Sequence, residues 1–256
     1  MIDQRAVIAD GARIHESVEI GAFSIIGDDV EIGAGCVIGP HVVIKGPTVI
    51  GENNRIFQFA SLGEAPQDKK YAGEPTRLVI GNNNTIREYV TLNRGTVQDR
   101  GETTIGDDNW IMAYVHVAHD CVVGNHTIMA NGVTLAGHVT VGDYVIFGGY
   151  AGAHQFCSIG AHAFLGMQVA AGRDVPAYLI VTGNPPEPRG INQEGLKRRG
   201  FSAEQIRNIR EAYRLVYRQQ LKLDEAIERL DALLPEQPEL GIFIDSLRAS
   251  ERGILR

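Results

Sequence analysis

The stretch Ile20-Gly21-Ala22-Phe23-Ser24-Ile25-Ile26-Gly27-Asp28-Asp29-Val30-Glu31-Ile32-Gly33-Ala34-Gly35-Cys36-Val37-Ile38-Gly39 decides the fold. Isoleucine recurs every sixth residue, at 20, 26, 32 and 38, and glycine follows each one. The register extends back to Ile14 and Ile8 and forward through Ile44, Ile50, Ile56 and Leu62. It resumes at Ile80, Ile86 and Leu92, then runs from Ile105 through Ile111, Val117, Val123, Met129, Leu135, Val141, Phe147, Ala153 and Ile159 to Leu165. Of these 24 positions, 21 are Ile, Leu or Val, and glycine follows 13 of them. With 30 glycines in 256 residues, chance would place about three there.

A helix repeats its apolar residues every three to four positions and a strand every two, so a period of six fits neither as one continuous element. It fits very short strands joined by tight turns, one aliphatic per side pointing inward. Glycine tolerates the backbone conformations such turns need. Three sides close an 18-residue triangular coil, and stacked coils pair as parallel strands about 4.8 Å apart. The result is a quasi-one-dimensional prism. Cys36, Cys121 and Cys157 each fall two residues before a repeat aliphatic, where small, buried and chemically inert thiols are expected.

Two interruptions stand out. Leu62 to Ile80 spans 18 residues and Leu92 to Ile105 spans 13, so residues near 63–78 and 93–103 read as loops leaving the prism. Loops on a rigid scaffold often carry binding residues. The period ends near Ala171, and Gly183-Asn184-Pro185-Pro186-Glu187-Pro188 reads as a linker. Residues 1–190 are thus expected to form the prism and 191–256 a helical domain that covers one open end and its unpaired strand edges. Ser202-Ala203-Glu204-Gln205 has the form of a capping box ahead of a helix ending near Arg218. A second helix is expected from Asp224 and a third after Pro238.

The net charge of −7 argues against general nucleic-acid binding. The charge is uneven, since residues 191–222 hold eight Lys or Arg against three Glu. That segment is either a solvated helix face or a dock for an acidic partner. The N-terminus lacks the apolar run of a signal peptide, and no stretch approaches the roughly 20 apolar residues of a membrane span. Three cysteines without an export signal fit a reducing compartment, so the expected location is cytoplasmic, with no stable membrane insertion.

Residues 18 apart should lie above one another. Gly137 then lies over His119, Gln155 over Gly137, His138 over Asp120 and His154 over Ala136. A lone surface histidine is usually a solvated turn residue. Three converging on one corner beside Asp120 point instead to a general base near neutral pH. Attack of a hydroxyl on a thioester needs such a base, and a backbone N–H to receive the tetrahedral oxyanion.

The segments His116-Val117-Ala118-His119-Asp120-Cys121, Leu135-Ala136-Gly137-His138-Val139 and His154-Gln155-Phe156-Cys157 carry a closer resemblance. With Gln67-Asp68-Lys69-Lys70-Tyr71-Ala72-Gly73-Glu74-Pro75-Thr76 and Asn192-Gln193-Glu194-Gly195-Leu196-Lys197-Arg198-Arg199-Gly200, the chain resembles the UDP-N-acetylglucosamine O-acyltransferases of the hexapeptide-repeat superfamily over its whole length.

The resemblance implies a left-handed parallel β-helix with a C-terminal helical domain, a hand that the period itself does not reveal. It implies transfer of a 3-hydroxyacyl chain from acyl carrier protein to the 3-hydroxyl of UDP-N-acetylglucosamine, the first step of lipid A synthesis, in a homotrimer with sites between subunits. Neither a metal nor another cofactor is implied. His119 would be the base, oriented by Asp120, and the Gly137 N–H the oxyanion donor. Asp68, Lys70, His116, His138 and His154 would bind substrate. Gln155, Asn192, Glu194, Arg198 and Arg199 would contact the nucleotide, arginine suiting phosphate through its fork of donors.

Met167 stands where glycine often leaves room for the distal acyl chain, so a medium chain near 3-hydroxydecanoyl is expected over 3-hydroxymyristoyl. Some members carry histidine where this chain has Pro185. Two rival readings are a coenzyme A-dependent acyltransferase and a zinc hydratase using His116 and His119. The first loop and the arginine-rich tail motif favour the nucleotide sugar over coenzyme A; against zinc, His138 and His154 are assigned otherwise and no acidic second shell is evident in the sequence. A purely structural solenoid is the remaining reading.

Overall fold

The structure, a computed structural model, describes all 256 residues. Strands of two to five residues stack into three flat sheets. The first sheet holds nine strands from Val7–Ile8 to Ala170–Ala171, and the second eight, from Arg13–Ile14 to Ser158–Ile159. The third holds ten, from Glu19–Ile20 up to Phe164–Leu165, Leu179–Thr182 and Glu187–Ile191. All pairings are parallel except the last. The chain winds as a left-handed parallel β-helix, first sheet to second to third.

The register is the one the period requires. Ile8 pairs with Ile26, Ile14 with Ile32 and Ile20 with Ile38, each 18 residues on. Backbone bonds join the coils, as from Gly27 N–H to Ile44 O and Gly106 N–H to Val123 O, both 2.8 Å. Two side chains per hexad point inward: the repeat aliphatic, and a smaller residue two positions earlier such as Val18, Ser24, Val30 or Cys36. All three cysteines occupy that earlier position, buried and free. Burial pushes the Cys121 thiol up to about 12, which keeps it protonated and unreactive.

Among the glycines after the repeat aliphatics only Gly63 has a positive φ (72°), so the others serve a purpose other than left-handed turn conformation. Gly21 is not in the left-handed region, but a Cβ there would lie 2.5 Å from Pro40 N in the next coil. The left-handed turn position comes two residues later and is filled by side chains, as at Phe23 (φ 62°), Asp29 (φ 56°) and His41 (φ 57°). Close approach between coils, and not a positive φ, selects glycine here.

At the corner between the second and third sheets a polar ladder runs through the core. Asn54 Oδ1 accepts the Asn84 N–H at 2.9 Å, Asn84 Oδ1 the Asn109 N–H at 2.9 Å, and Asn109 Oδ1 the Thr127 N–H at 2.7 Å. Each side chain replaces the water a buried turn N–H would otherwise need.

The proline-rich stretch is not a free linker. Leu179–Thr182 and Glu187–Ile191 pair antiparallel across it, so the helices are held by a hairpin at the edge of the third sheet. Helix α1 spans Gln193–Arg198, α2 Ala203–Arg218, α3 Leu223–Leu233 and α4 Gly241–Arg248. The Ser202 capping box is present: Ser202 Oγ accepts the Gln205 N–H at 3.1 Å, and Gln205 Oε1 accepts the Ser202 N–H at 2.8 Å. The short helix α1 was not expected; its three acidic or basic residues and single buried Leu196 leave almost no periodic signal. The C-terminal segment closes the last coil, where Tyr178 Oη donates to Glu239 O at 2.7 Å and Ser250 Oγ to Asp174 at 2.7 Å.

Asn84→Ala leaves the buried Asn109 N–H without a partner and is expected to cost about 1–3 kcal/mol. Urea unfolding monitored by circular dichroism checks this, the expected result being a lower midpoint with unchanged slope.

Candidate active site

The turn from His116–Val117 in the first sheet to Val122–Val123 in the second sets His119 and Asp120 on one corner of the prism. One coil further, Gly137 and His138 occupy the same corner, followed by His154, Gln155 and Phe156. Asp120 sits at φ 60° and His138 at φ 64°, the left-handed turn position again. Asp120 is 2% exposed.

His119 Nδ1 lies 2.8 Å from Asp120 Oδ2. The carboxylate also accepts the Thr96 N–H at 2.9 Å and the Thr96 Oγ1–H at 2.6 Å. With Nδ1 committed to Asp120, the outward nitrogen of His119 is Nε2. A Cβ on Gly137 would lie 2.5 Å from His119 Cε1, so only glycine leaves the ring where it is. The Gly137 N–H makes no hydrogen bond within the chain and is free to meet a ligand.

His138 Nδ1 bonds Asp99 Oδ2 at 2.7 Å and lies 3.9 Å from Asp120 Oδ2. Its ring stacks on Phe156 with centroids 4.3 Å apart and meets the His119 ring edge-on at 4.9 Å. His116 bonds Thr91 Oγ1 at 2.7 Å. Burial, and secondarily His119, holds its imidazole below the ordinary value. His154 is exposed and bonds Gln155 O at 3.1 Å. It borders a shallow cleft of about 350 Å³ on the outer face of the first sheet, floored by Thr134, Gly152 and Ala170.

Polar atoms of His119, Asp120 and His138 lie within 4.8 Å of one another. Asp120 is engaged by Thr96 and by His119 Nδ1, and His138 Nδ1 by Asp99. The set is an array of imidazole–carboxylate pairs suited to moving protons. The sequence shows no acidic shell around the histidines, but the fold supplies one in Asp99.

Other expected site residues lie elsewhere. Asp68 and Lys70 bond only within their own loop, where Asp68 Oδ1 accepts the Lys70 N–H at 3.0 Å. Asn192 is buried; its Oδ1 caps α1 through the Gly195 N–H at 3.1 Å and its Nδ2 donates to His162 O at 2.9 Å. Glu194 pairs with Lys197 at 2.9 Å, and Arg198 is exposed. Arg199 lies over the Tyr144 ring at 5.0 Å and donates to Tyr144 O at 2.9 Å. Tyr144 and His162 form the corner between the second and third sheets. Met167, 68% exposed, stands on the remaining corner, between the third sheet and the first. Within one chain the expected residues therefore divide among three corners. The acid–base group shares one of them.

Thr96, Asp99 and Phe156 were missed in the sequence. Phe156 was available from the 18-residue rule, because it follows His138 by one coil. Thr96 and Asp99 belong to the second loop, where no period assigns a position.

Residues 174–255 match the family described as UDP-N-acetylglucosamine O-acyltransferase, domain 2. Residues 11–46 and 102–137 match the bacterial transferase hexapeptide family. An acyl-[acyl-carrier-protein]–UDP-N-acetylglucosamine O-acyltransferase of Ectopseudomonas mendocina is 60% identical over 255 residues, covering 100% of this chain and 99% of that one. The UDP-N-acetylglucosamine acyltransferase structure from Francisella novicida superposes with a TM-score of 0.98 at 46% identity, covering 100% of this chain and 94% of the other. That from Campylobacter jejuni gives 0.92 at 35% identity, with 100% and 99% covered.

Burial, reinforced by Arg199, lowers the His162 imidazole from 6.5 to about 4. The unfolded chain takes up that proton near pH 6.5 and the folded chain only near pH 4, so stability falls as pH drops through this window and no further below it. Urea midpoints measured across the window should therefore fall more steeply in the wild type than in His162→Gln.

Proposed function

This chain belongs to the UDP-N-acetylglucosamine O-acyltransferase family, and on that premise we infer that its acyl transfer runs at the corner built by His119, Asp120 and Gly137. It is an acyltransferase whose donor is acyl carrier protein and whose acceptor is UDP-N-acetylglucosamine. The acyl group is a 3-hydroxyacyl chain, the acceptor atom is the sugar 3-hydroxyl, and the step begins lipid A synthesis in the cytoplasm. No helix is long and apolar enough to cross a membrane.

The observation that carries the mechanism is the pairing of His119 Nδ1 with the buried Asp120 at 2.8 Å, beside the unbonded N–H of Gly137. Asp120 fixes the His119 tautomer, leaving Nε2 to take the proton as the sugar oxygen attacks the thioester carbonyl. The carbonyl becomes an oxyanion that accepts the Gly137 N–H. Collapse breaks the carbon–sulfur bond, and the imidazolium returns its proton to the departing thiolate. Asp120 keeps its charge throughout and stabilises the imidazolium.

The site residues that lie on other corners act across subunits of a homotrimer. Large exposed apolar side chains support this, concentrating on the first and third sheets and their shared corner (Phe23, Phe59, Tyr89, Tyr114, Trp110 and Met167 among them), with Val49 alone on the second sheet. Packing those surfaces against neighbours sets the His119 corner of one copy opposite another copy's residues. There Asp68, Lys70, His116, His138 and His154 hold the sugar and acyl group, and Gln155, Asn192, Glu194, Arg198 and Arg199 the nucleotide. Met167 closes the acyl tunnel and selects a chain near ten carbons. The stripe Arg207, Arg210, Arg214 and Arg218 on α2 suits the acidic carrier; only Arg214 in it has an acidic partner, Glu211.

Mass spectrometry of products from a panel of 3-hydroxyacyl carriers tests the reading. His119→Ala should lower turnover by about 10²–10⁴-fold while the chain stays folded by circular dichroism, and Met167→Gly should shift preference toward 14 carbons. Wild-type turnover without His119, or a donor preference unmoved by Met167→Gly, contradicts the corresponding assignment.

A further inference from the structure

The second loop, between Thr91–Asn93 and Glu102–Ile105, ties the two imidazoles of the corner to two different carboxylates. Thr96 is 1% exposed and donates to Asp120 through its N–H and its Oγ1–H, at 2.9 and 2.6 Å. Its carbonyl accepts the Gly101 N–H at 2.9 Å and the Asp99 N–H at 3.4 Å, closing a turn that ends at Gly101 with φ 70°. That turn carries Asp99 out over the next coil, 39 residues away in sequence from the His138 it meets at 2.7 Å.

We propose that Asp99 is a positioning residue that holds His138 as the Nδ1–H tautomer and aims its Nε2 at the bound nucleotide sugar. Three constraints act on the His138 ring. Phe156 fixes its plane by stacking at 4.3 Å, and His119 meets it edge-on. Neither distinguishes the two ring nitrogens, and a ring turned over by 180° would satisfy both contacts. Asp99 alone breaks the degeneracy, because a carboxylate accepts and the nitrogen facing it must carry a proton. Asp120 Oδ2, at 3.9 Å, is too distant to do so and already accepts from His119 and Thr96. His138 Nε2 has no partner within the chain, so Asp99 decides which atom a ligand meets. Asp99 touches no substrate and acts only through His138.

The inference deepens the site assignment above and rests on His138 contacting the sugar. Its readout is nitrogen-15 NMR of the trimer labelled on histidine, together with kinetics in varied UDP-N-acetylglucosamine. In the wild type, His138 should show a protonated Nδ1. In Asp99→Ala that signature should be lost and the His119 signals kept, with KM for the nucleotide sugar rising about tenfold while kcat and the melting temperature hold. Asp99→Asn retains an acceptor oxygen and should restore both the tautomer and most of the KM. An unmoved His138 signal in Asp99→Ala overturns the proposal, as does an unchanged KM or an equal loss in both variants. The tautomer is read without turnover, so these outcomes are independent of whether His119→Ala is inactive.

Discussion

Each 18-residue coil must lie flat on the one before it, and everything else in the molecule depends on that contact. The constraint is mutual. Parallel backbone bonds fix the height of each coil, and the inward aliphatics lock its rotation, so a slip of one residue would turn the buried set outward. Pairings such as Ile32 with Ile50 and Val123 with Val141 repeat this lock along the prism. Glycine is selected where an added Cβ would come within 3 Å of the next coil, as at Gly21, and side chains are admitted at the turns themselves.

A corner of such a prism is a place where distant residues meet at fixed spacing without using the core. His119 and Asp120 come from one coil, Gly137 and His138 from the next and Phe156 from the third, held by backbone bonds such as His138 N–H to His119 O at 3.0 Å. The 2.5 Å approach that a Gly137 Cβ would make to His119 couples the identity of one coil to the ring position in another. The buried Asp120 is affordable because Thr96 and His119 supply its hydrogen bonds. The loop that provides Thr96 is therefore part of the scaffold that builds this corner, although it lies outside the repeat.

What could be read in the chain follows from the same distinction. Repeat geometry is local and periodic, so the three sheets, the buried cysteines, the stacking of His138 over Asp120 and the capping box at Ser202 were all legible. Contacts made by non-periodic segments were not. Asp99 meets His138 across 39 residues through a loop with no register, and the pairing of Leu179–Thr182 with Glu187–Ile191 is hidden beneath prolines that suggest a linker. The capping role of Asn192 and the seat of Arg199 on Tyr144 likewise depend on how the helices close the last coils. The reason for the glycines was misread in the sequence because period alone does not separate turn conformation from close packing.

The most direct measurement is a crystal structure of the protein with UDP-N-acetylglucosamine and a non-hydrolysable acyl-carrier thioester analogue. The account requires the sugar 3-hydroxyl about 3 Å from His119 Nε2 and the analogue's carbonyl oxygen on the Gly137 N–H. A sugar seated on a different corner, or a hydroxyl beyond hydrogen-bond reach of every histidine on this one, would contradict it.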